Sequence, residues 1–418
     1  MSTALTSSRP TPANVREAQA QSRGLLTGSG ASEQPDYRAD IEGLRGVAVL
    51  SLLAVHLFPQ WAQAGFIGAD MFFVISGFLV TRSLLKAHDA RSLSVGSFYA
   101  SRLRRIVPAL GTVLLLTLVF SVLFTYPSAA REVASSVLNG SLFISNIALW
   151  QDAVQLSRPV DMGPLAHLWW LGVEAQFCLV WPLVVALVLR QRRWTLEVIA
   201  ALVVLSFALN VLLAASTASP HLLLPFTRLW EPMLGGLLAF VKHDSGTQRW
   251  VAPPSQRGRD TLAYAGVALL AAAILLIDQA ANLPATWALL ITLGTLALLA
   301  AGPLAWVNRV LLSNSVLRFY GAISFPLYLW HWPLLCFPAV LGIPMSQELR
   351  VIILTASVVL AALTHETVDR RAQADAHRRG LPLSALAWLA ALALCGWYVV
   401  STDGLMASFP QGMQRAPF

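Results

Sequence analysis

IEGLRGVAVLSLLAVHLF (residues 41–58) is an apolar run that carries a fixed cation, Arg45, and a titratable imidazole, His56. An ionisable side chain inside a segment long enough to span a bilayer is costly and marks a functional position by default. The spacing adds geometry. Eleven helical steps of ~100° sum to ~1100°, so the two side chains share a face to within ~20° and sit about 16 Å apart along the axis. The same residues also suit a snorkelling arginine paired with Glu42 at i,i+3 and an imidazole at a wet helix end. Spacing alone leaves both readings open. The next run, GFIGADMFFVISGFLV (65–80), follows within ten residues.

Working outward, the whole chain has the same character. Of its 418 residues 56% are hydrophobic and 12% charged, with 14 Trp and a mean hydropathy of +0.63. That composition predicts an all-α, polytopic membrane helix bundle rather than a soluble domain. The formal charge of +8 comes from basic residues gathered in short loops between apolar runs. It reads as membrane topology and contact with a lipid bilayer, and no nucleic-acid partner is expected. Cys178, Cys336 and Cys395 all fall inside apolar runs, so neither a disulfide framework nor a metal cluster is expected. Residues 1–36, rich in Ser, Thr, Ala and Gln, have no apolar core; they read as a disordered cytoplasmic tail, with the first span as an uncleaved insertion signal.

Apolar runs lie near 42–58, 66–86, 106–126, 164–189, 195–215, 222–241, 261–280, 285–305, 318–341, 349–366 and 381–400, which predicts about 11 transmembrane helices. VASSVLNGSLFISNIALW (133–150) is a weaker candidate, interrupted by Ser, Asn and Gly. If the N-terminus is cytoplasmic and 133–150 does not cross, every basic cluster falls inside; if it crosses, every cluster after Arg105 falls outside, against the positive-inside rule. An interfacial or re-entrant 133–150 and an external C-terminus follow. The implied organisation is a tail (1–36), a membrane domain (37–372), an additional transmembrane helix with its preceding basic loop (373–400) and a short external tail (401–418).

Polar residues recur inside these runs. Asp70 lies near the external mouth of the second, with Ser76 further in; a small-residue packing face with a wet aspartate fits equally. SFYASRLRRIVPAL (97–110) sets Arg102, Arg104 and Arg105 at the cytoplasmic surface. Guanidinium groups bind phosphate oxygens bidentately, so the cluster suits a phosphate-rich ligand as well as ordinary membrane anchoring. In PLAHLWWLGVEAQFCLVWPL (164–183), His167 and Glu174 are seven apart and near one face. Glu174, roughly 15 Å below the external end, needs a structural ion pair or a water-filled cavity. Arg228 and Glu231 at i,i+3 form a self-neutralising pair of an architectural kind. GAISFPLYLWHWPLL (321–335) aligns Ser324, Tyr328 and His331 at steps of four and seven, as the lining of a cavity. Glu366 and Arg370 close the tenth run as a structural pair. Together these residues predict a polar cavity crossing much of the membrane, with a basic cytoplasmic mouth.

In order, the blocks DIEGLRGVAVLSLLAVH, GFIGADMFFVISGF, FYASRLRRIVPA, PLAHLWWLGVEAQF, RLWEPMLGG and ISFPLYLWHWPL resemble the acyltransferase-3 family of integral membrane acyltransferases, which includes bacterial O-antigen and exopolysaccharide O-acetyltransferases. The resemblance runs from about Asp40 to Arg370. It implies a ten-helix acyltransferase core plus one further helix in the bacterial inner (cytoplasmic) membrane. It also implies transfer of an acyl group, commonly acetyl from acetyl-CoA, to a hydroxyl of a surface glycan acceptor. The family's Arg-x10-His motif maps onto Arg45 and His56, the histidine being essential, and its arginine-rich motif onto Arg102 and Arg105. Departures are plain. Where relatives read SLAVEEQFY, this chain has Trp170, Ala175 and Cys178 for the serine, the second carboxylate and the tyrosine. Its closing Glu366-Thr-Val-Asp-Arg370 lacks the usual proline. Many relatives continue into an external serine-esterase-like domain where this sequence stops, so delivery is expected to finish within the membrane or to pass to a separate external acyl-accepting protein.

The resulting expectation is an O-acyltransferase. Arg45, Arg102 and Arg105 hold the donor's phosphates, His56 acts as general base or acyl relay, and Glu174 orients His56. Asp70, Ser76, His167, Arg228, Glu231, Ser324, Tyr328 and His331 line the substrate cavity, with no metal. An acyl-enzyme on His56, Ser324 or Tyr328 is an alternative to direct transfer. Two other classes compete: a proton-coupled secondary transporter and a non-catalytic regulatory membrane subunit.

Overall fold

Apolar runs bounded by Ser, Asn and Pro fold here as helices. A computed structural model describes residues 37–60, 67–155, 163–191, 194–215, 221–243, 247, 255–276, 284–374 and 382–405, and among these every regular element is helical. In chain order they are α1 (Ala39–Leu57), α2 (Ile67–Asp89), α3 (Val95–Phe124), α4 (Pro127–Ser141), α5 (Ser145–Gln155), α6 (Trp169–Gln191), α7 (Thr195–Ala215), α8 (Trp230–His243), α9 (Gln256–Leu276), α10 (Pro284–Ala301), α11 (Ser315–Ala322), α12 (Ser324–Val340), α13 (Gln347–Thr364) and α14 (Leu383–Ser401). Helix starts follow local chemistry. Ser94, Asn314 and Ser346 accept hydrogen bonds from backbone N–H groups in the first turns of α3, α11 and α13. The expected disordered tail, residues 1–36, lies outside the described residues, as does most of the expected external tail.

Among the described residues, seven helical stretches are long and apolar enough to cross a bilayer, or eight if α11 and α12, bent by 68°, count as one broken span. The expected count of eleven is not reached on length and apolarity. Asp40, Glu42 and Arg45 charge α1, and α8 has only 14 residues. The segment 133–150 is not one helix. It is divided between α4, of 15 residues, and α5, of 11, with Phe143 at φ 57° in the turn between them.

The bundle is organised around α2. Its apolar window is 72% buried, against 17% for α9 and for α14, and its side chains enter all three apolar cores. Phe73 packs in the core shared by α1, α3, α6 and α12. Met71 and Ile75 pack in that of α1, α9 and α10, and Leu84 and Leu85 in that of α6, α7 and α8. α2 meets α8 backbone to backbone: a Cβ built on Gly77 would lie 1.8 Å from the Pro232 carbonyl oxygen. At this position only glycine permits the approach. A similar contact joins α11 to α1, where a Cβ on Gly321 would lie 1.9 Å from the Glu42 carbonyl oxygen. That contact brings the end of α11, and hence the start of α12, against the turn of α1 that carries Arg45.

Close approach of α2 and α8 also buries charge. The Arg228 guanidinium, in a single turn just before α8, bonds the Asp70 carboxylate of α2 and reaches Glu231 Oε1 at 3.0 Å. It lies over the Phe73 ring, 5.7 Å from its centroid. Side-chain exposure is 3% for Arg228 and 0% for Glu231. Two carboxylates on one guanidinium, away from water, are a strong mutual constraint, because removing one partner strands the others in a medium that cannot solvate them.

Two consequences can be measured as thermal stability of the detergent-purified chain. Gly77→Val forces α2 and α8 apart and lowers the midpoint, at an overpacking cost of roughly 1–3 kcal/mol or more, whereas Val204→Ala on the lipid-facing surface leaves it nearly unchanged. Arg228→Ala costs more, roughly 3–5 kcal/mol for a broken buried pair. The double variant Asp70→Asn/Arg228→Gln recovers part of that loss; a double variant no better than the single would show that charge is not the cause.

Candidate active site

His56 stands in the last turn of α1, whose end is fixed from α13, where Arg350 Nη1 donates to the Leu57 carbonyl at 2.5 Å. Facing it is His331 on α12. Their rings meet through His56 Nδ1 and His331 Nε2, 3.1 Å apart, with ring planes 6° from parallel and centroids 5.3 Å apart. That centroid distance is about the N···N distance plus a ring radius at each end, so the rings lie edge to edge and nearly coplanar. His331 Nδ1 is 2.7 Å from the Tyr328 carbonyl oxygen. A carbonyl only accepts, so His331 carries its proton on Nδ1 and offers a lone pair at Nε2. His56 must then donate from Nδ1, and its Nε2 is left as an unprotonated base. One backbone carbonyl thereby sets the tautomers of two histidines.

Aromatic rings close the surroundings. The Trp332 indole stands edge-on to His56 at 4.7 Å and is held by its Nε1 donating to the Gly163 carbonyl at 2.9 Å. His167, in the 3₁₀ turn that precedes α6, packs against Tyr328 at 5.0 Å and His331 at 5.7 Å between ring centroids. Its backbone carbonyl accepts from the Tyr328 hydroxyl. The three imidazoles form no metal-binding group among the described residues.

Further down the same face of α1 lies a polar cluster. Arg45 Nη2 donates to Ser324 Oγ at 2.8 Å, where α11 breaks into α12. Ser324 Oγ donates in turn to the Gly321 carbonyl at 2.8 Å. Ser76 of α2 donates to Glu174 Oε1 of α6 at 2.7 Å. Arg45, Arg102 and Arg105 lie close enough to repel one another, and Glu174 attracts both Arg45 and Arg105. Arg45 and His56 are half-buried, and Arg105 is exposed. Near Glu174, Gln176 and Asn146 exchange amide hydrogen bonds of 2.9 and 3.2 Å, which tie α6 to α5.

The structure therefore sorts the residues singled out in the sequence into three places. His56, His167, Tyr328 and His331 meet at one level; Arg45, Ser76, Arg102, Arg105, Glu174 and Ser324 meet at another. Asp70, Arg228 and Glu231 form the separate buried knot between α2 and α8. The expected partnership of Glu174 with His56 is replaced: His56 hydrogen-bonds His331, and Glu174 bonds Ser76 and interacts with the arginines. Sequence reasoning did not single out Arg350, which holds the end of α1 just beyond His56, and gave Trp332, which packs beside the His56 ring, no role at the site. Trp170 packs on Phe73 and Tyr328 and donates to the Ala69 carbonyl at 3.1 Å. Glu366 and Arg370 pair at 2.6 Å on the surface.

Comparison with known proteins identifies the family. Residues 38–366 match the acyltransferase domain family Acyl_transf_3. The chain is 27% identical over 354 residues to O-acetyltransferase OatA of Staphylococcus aureus (strain NCTC 8325 / PS 47), covering 83% of this chain and 58% of that protein. It is 30% identical over 315 residues to putative O-acetyltransferase SAS0844 of Staphylococcus aureus (strain MSSA476), covering 72% of this chain and 51% of that protein. The chain thus spans little more than half the length of these curated relatives. No solved structure matches it. With the family's region covering most of the chain, this protein belongs to the acyltransferase-3 family of membrane acyltransferases.

Proposed function

We propose that the chain is an O-acetyltransferase of the bacterial inner membrane. It takes an acyl group, acetyl by analogy with the relatives' names, from acyl-CoA at the cytoplasmic face and passes it to a glycan hydroxyl, directly or through a separate external acyl-accepting protein. The observation that carries this reading is the pairing of His56 Nδ1 with His331 Nε2 above a cluster of three arginines on one continuous face. The clustered guanidinium groups of Arg45, Arg102 and Arg105 suit the phosphates of CoA. About 16 Å of helix rise separates Arg45 from His56, a distance that an extended pantetheine arm covers.

In this reading His56 Nε2 removes the proton of the acceptor hydroxyl as its oxygen attacks the thioester carbonyl carbon. The carbonyl π electrons move to oxygen and form a tetrahedral oxyanion. Collapse re-forms C=O and breaks the C–S bond, and the departing CoA thiolate takes the proton from the His56 imidazolium. His331 is the positioning residue: it holds the reactive tautomer and accepts the Nδ1–H bond, which strengthens as His56 becomes positive. Glu174 sits among the arginines, where it limits their mutual repulsion and, through Ser76, fixes the wall of the donor channel. An N-terminus in the cytoplasm, as the loop charges require, puts the arginines on the side where acyl-CoA is available.

Purified full-length chain with acetyl-CoA and a glycan extract is expected to release free CoA, and His56→Ala to lower that release by 10²-fold or more, within the usual range of about 10²–10⁴ for a general base. Equal release from both would move the chemistry elsewhere; solute movement without thioester consumption would favour a transporter. His331→Gln keeps an acceptor for His56 and a donor for the Tyr328 carbonyl, so it should retain at least ten times the turnover of His331→Leu; equal loss in both would remove His331 from the mechanism. Arg102→Gln and Arg105→Gln should raise KM for acetyl-CoA with little change in kcat, and added salt should narrow their difference from wild type. A fall in kcat at constant KM would contradict a phosphate-binding role.

A further inference from the structure

His167 is the residue that the relay leaves unexplained. Its side chain is 6% exposed, yet neither ring nitrogen has a hydrogen-bond partner within the chain. The Leu329 carbonyl approaches the ring without completing a bond. Buried polar groups are almost always satisfied, so each exception calls for a cause. A neutral imidazole always has one N–H to give and one lone pair to fill. Packing does not account for the vacancy, because the turn is held by other means. Tyr328 donates its hydroxyl to the His167 carbonyl, Trp332 Nε1 donates to the Gly163 carbonyl at 2.9 Å, and the Leu168 N–H closes on the Leu165 carbonyl at 3.1 Å. The backbone is clamped to α12 on both sides of a side chain whose polar atoms stay open.

Its location narrows what the open N–H addresses. His167 and His56 flank the same two rings. The His331 ring centroid is 5.7 Å from that of His167 and 5.3 Å from that of His56, and the Trp332 centroid is 6.1 Å and 4.7 Å away respectively. His56 and His167 therefore border the same pair of rings, one carrying a base and the other an N–H without a partner in the chain. We infer that His167 is a second catalytic residue, whose ring N–H donates a hydrogen bond to the acyl carbonyl oxygen and to the oxyanion that develops on it.

This inference rests on the acyl-transfer reading above and adds the missing half of its chemistry. When the hydroxyl oxygen bonds to the carbonyl carbon and His56 takes its proton, the carbonyl electrons settle on oxygen. In a site walled by Trp332 and Tyr328 that negative charge has no bulk water to face. A donor already fixed in place stabilises it without reorganisation, and more strongly than it stabilises the neutral carbonyl. His167 keeps its own proton throughout; only the strength of its hydrogen bond changes.

The test compares wild type, His56→Ala, His167→Gln, His167→Asn and His167→Phe as full-length chains in detergent. CoA release from acetyl-CoA is measured with a glycan acceptor extract, and monodispersity with size exclusion. His167→Phe should lower kcat by about 10²–10³, the usual cost of one oxyanion donor, with KM for acetyl-CoA within a few-fold of wild type. One of the two amide variants, Gln placing its N–H near Nε2 or Asn near Nδ1, should recover at least ten-fold over Phe. Loss of turnover equal in Phe, Gln and Asn, or a change in KM alone, overturns the inference, as does wild-type kcat in His167→Phe. If the phenylalanine variant does not fold, the amide pair decides: turnover kept by one and lost by the other supports a directional donor, and equal turnover overturns it. Absence of CoA release from wild type, or release that survives His56→Ala, defeats the acyl-transfer reading itself, a result distinct from an active, His56-dependent enzyme indifferent to His167.

Discussion

A backbone carbonyl that can only accept a hydrogen bond, that of Tyr328, orders the paired histidines of this protein. It fixes the proton of His331 on Nδ1 and thereby makes Nε2 an acceptor; that acceptor requires His56 to donate from Nδ1. The base at His56 Nε2 is thus determined two residues away, by a group that has no protonation state of its own. In a hydrolase triad a carboxylate does this work and adds a full negative charge. Here the orienting group is neutral, which suits a site inside a membrane protein, where an uncompensated carboxylate is costly to bury.

The rest of the architecture delivers the three strands of this arrangement to one place. Close contact of α11 with α1 at Gly321 sets Arg45 against Ser324, and the break before Ser324 turns α12 so that Tyr328 and His331 run up toward His56. Arg350 fixes the end of α1, and Trp332 and Tyr328 bind the turn that carries His167. Charge is divided by level. Guanidinium groups gather near Arg45 with Glu174 among them, while aromatic rings surround the paired histidines. The buried knot of Asp70, Arg228 and Glu231 belongs to neither level; it joins α2 to α8 and keeps the frame rigid.

Much of this was legible in the sequence. Helical spacing alone placed Arg45 and His56 on one face, and steps of four and seven aligned Ser324, Tyr328 and His331; all five side chains do reach the two polar levels. The i,i+3 pair Arg228–Glu231 and the i,i+4 pair Glu366–Arg370 form as their spacing required. Partnerships between helices were not legible, because period within one helix carries no information about which neighbour it meets. Glu174 was therefore assigned to His56, when it bonds Ser76 of α2, and Asp70 was assigned to the cavity lining near the external mouth, when it is buried on Arg228. The count of eleven spans is not confirmed for a related reason. Apolar runs were counted without asking whether charges such as Asp40, Glu42 and Arg45, or a length of 14 residues as in α8, leave a helix able to cross alone.

The tautomers of His56 and His331 test the central claim most directly. In ¹⁵N-histidine-labelled full-length protein at neutral pH, long-range ¹H–¹⁵N correlation spectra assigned by loss of signals in His56→Ala and His331→Gln distinguish a protonated Nδ1 from a protonated Nε2 on each ring. The hydrogen-bond chain from the Tyr328 carbonyl requires both rings to be protonated at Nδ1, with His56 Nε2 bare. Protonation of His56 at Nε2 would leave no base facing the cavity and would contradict the account.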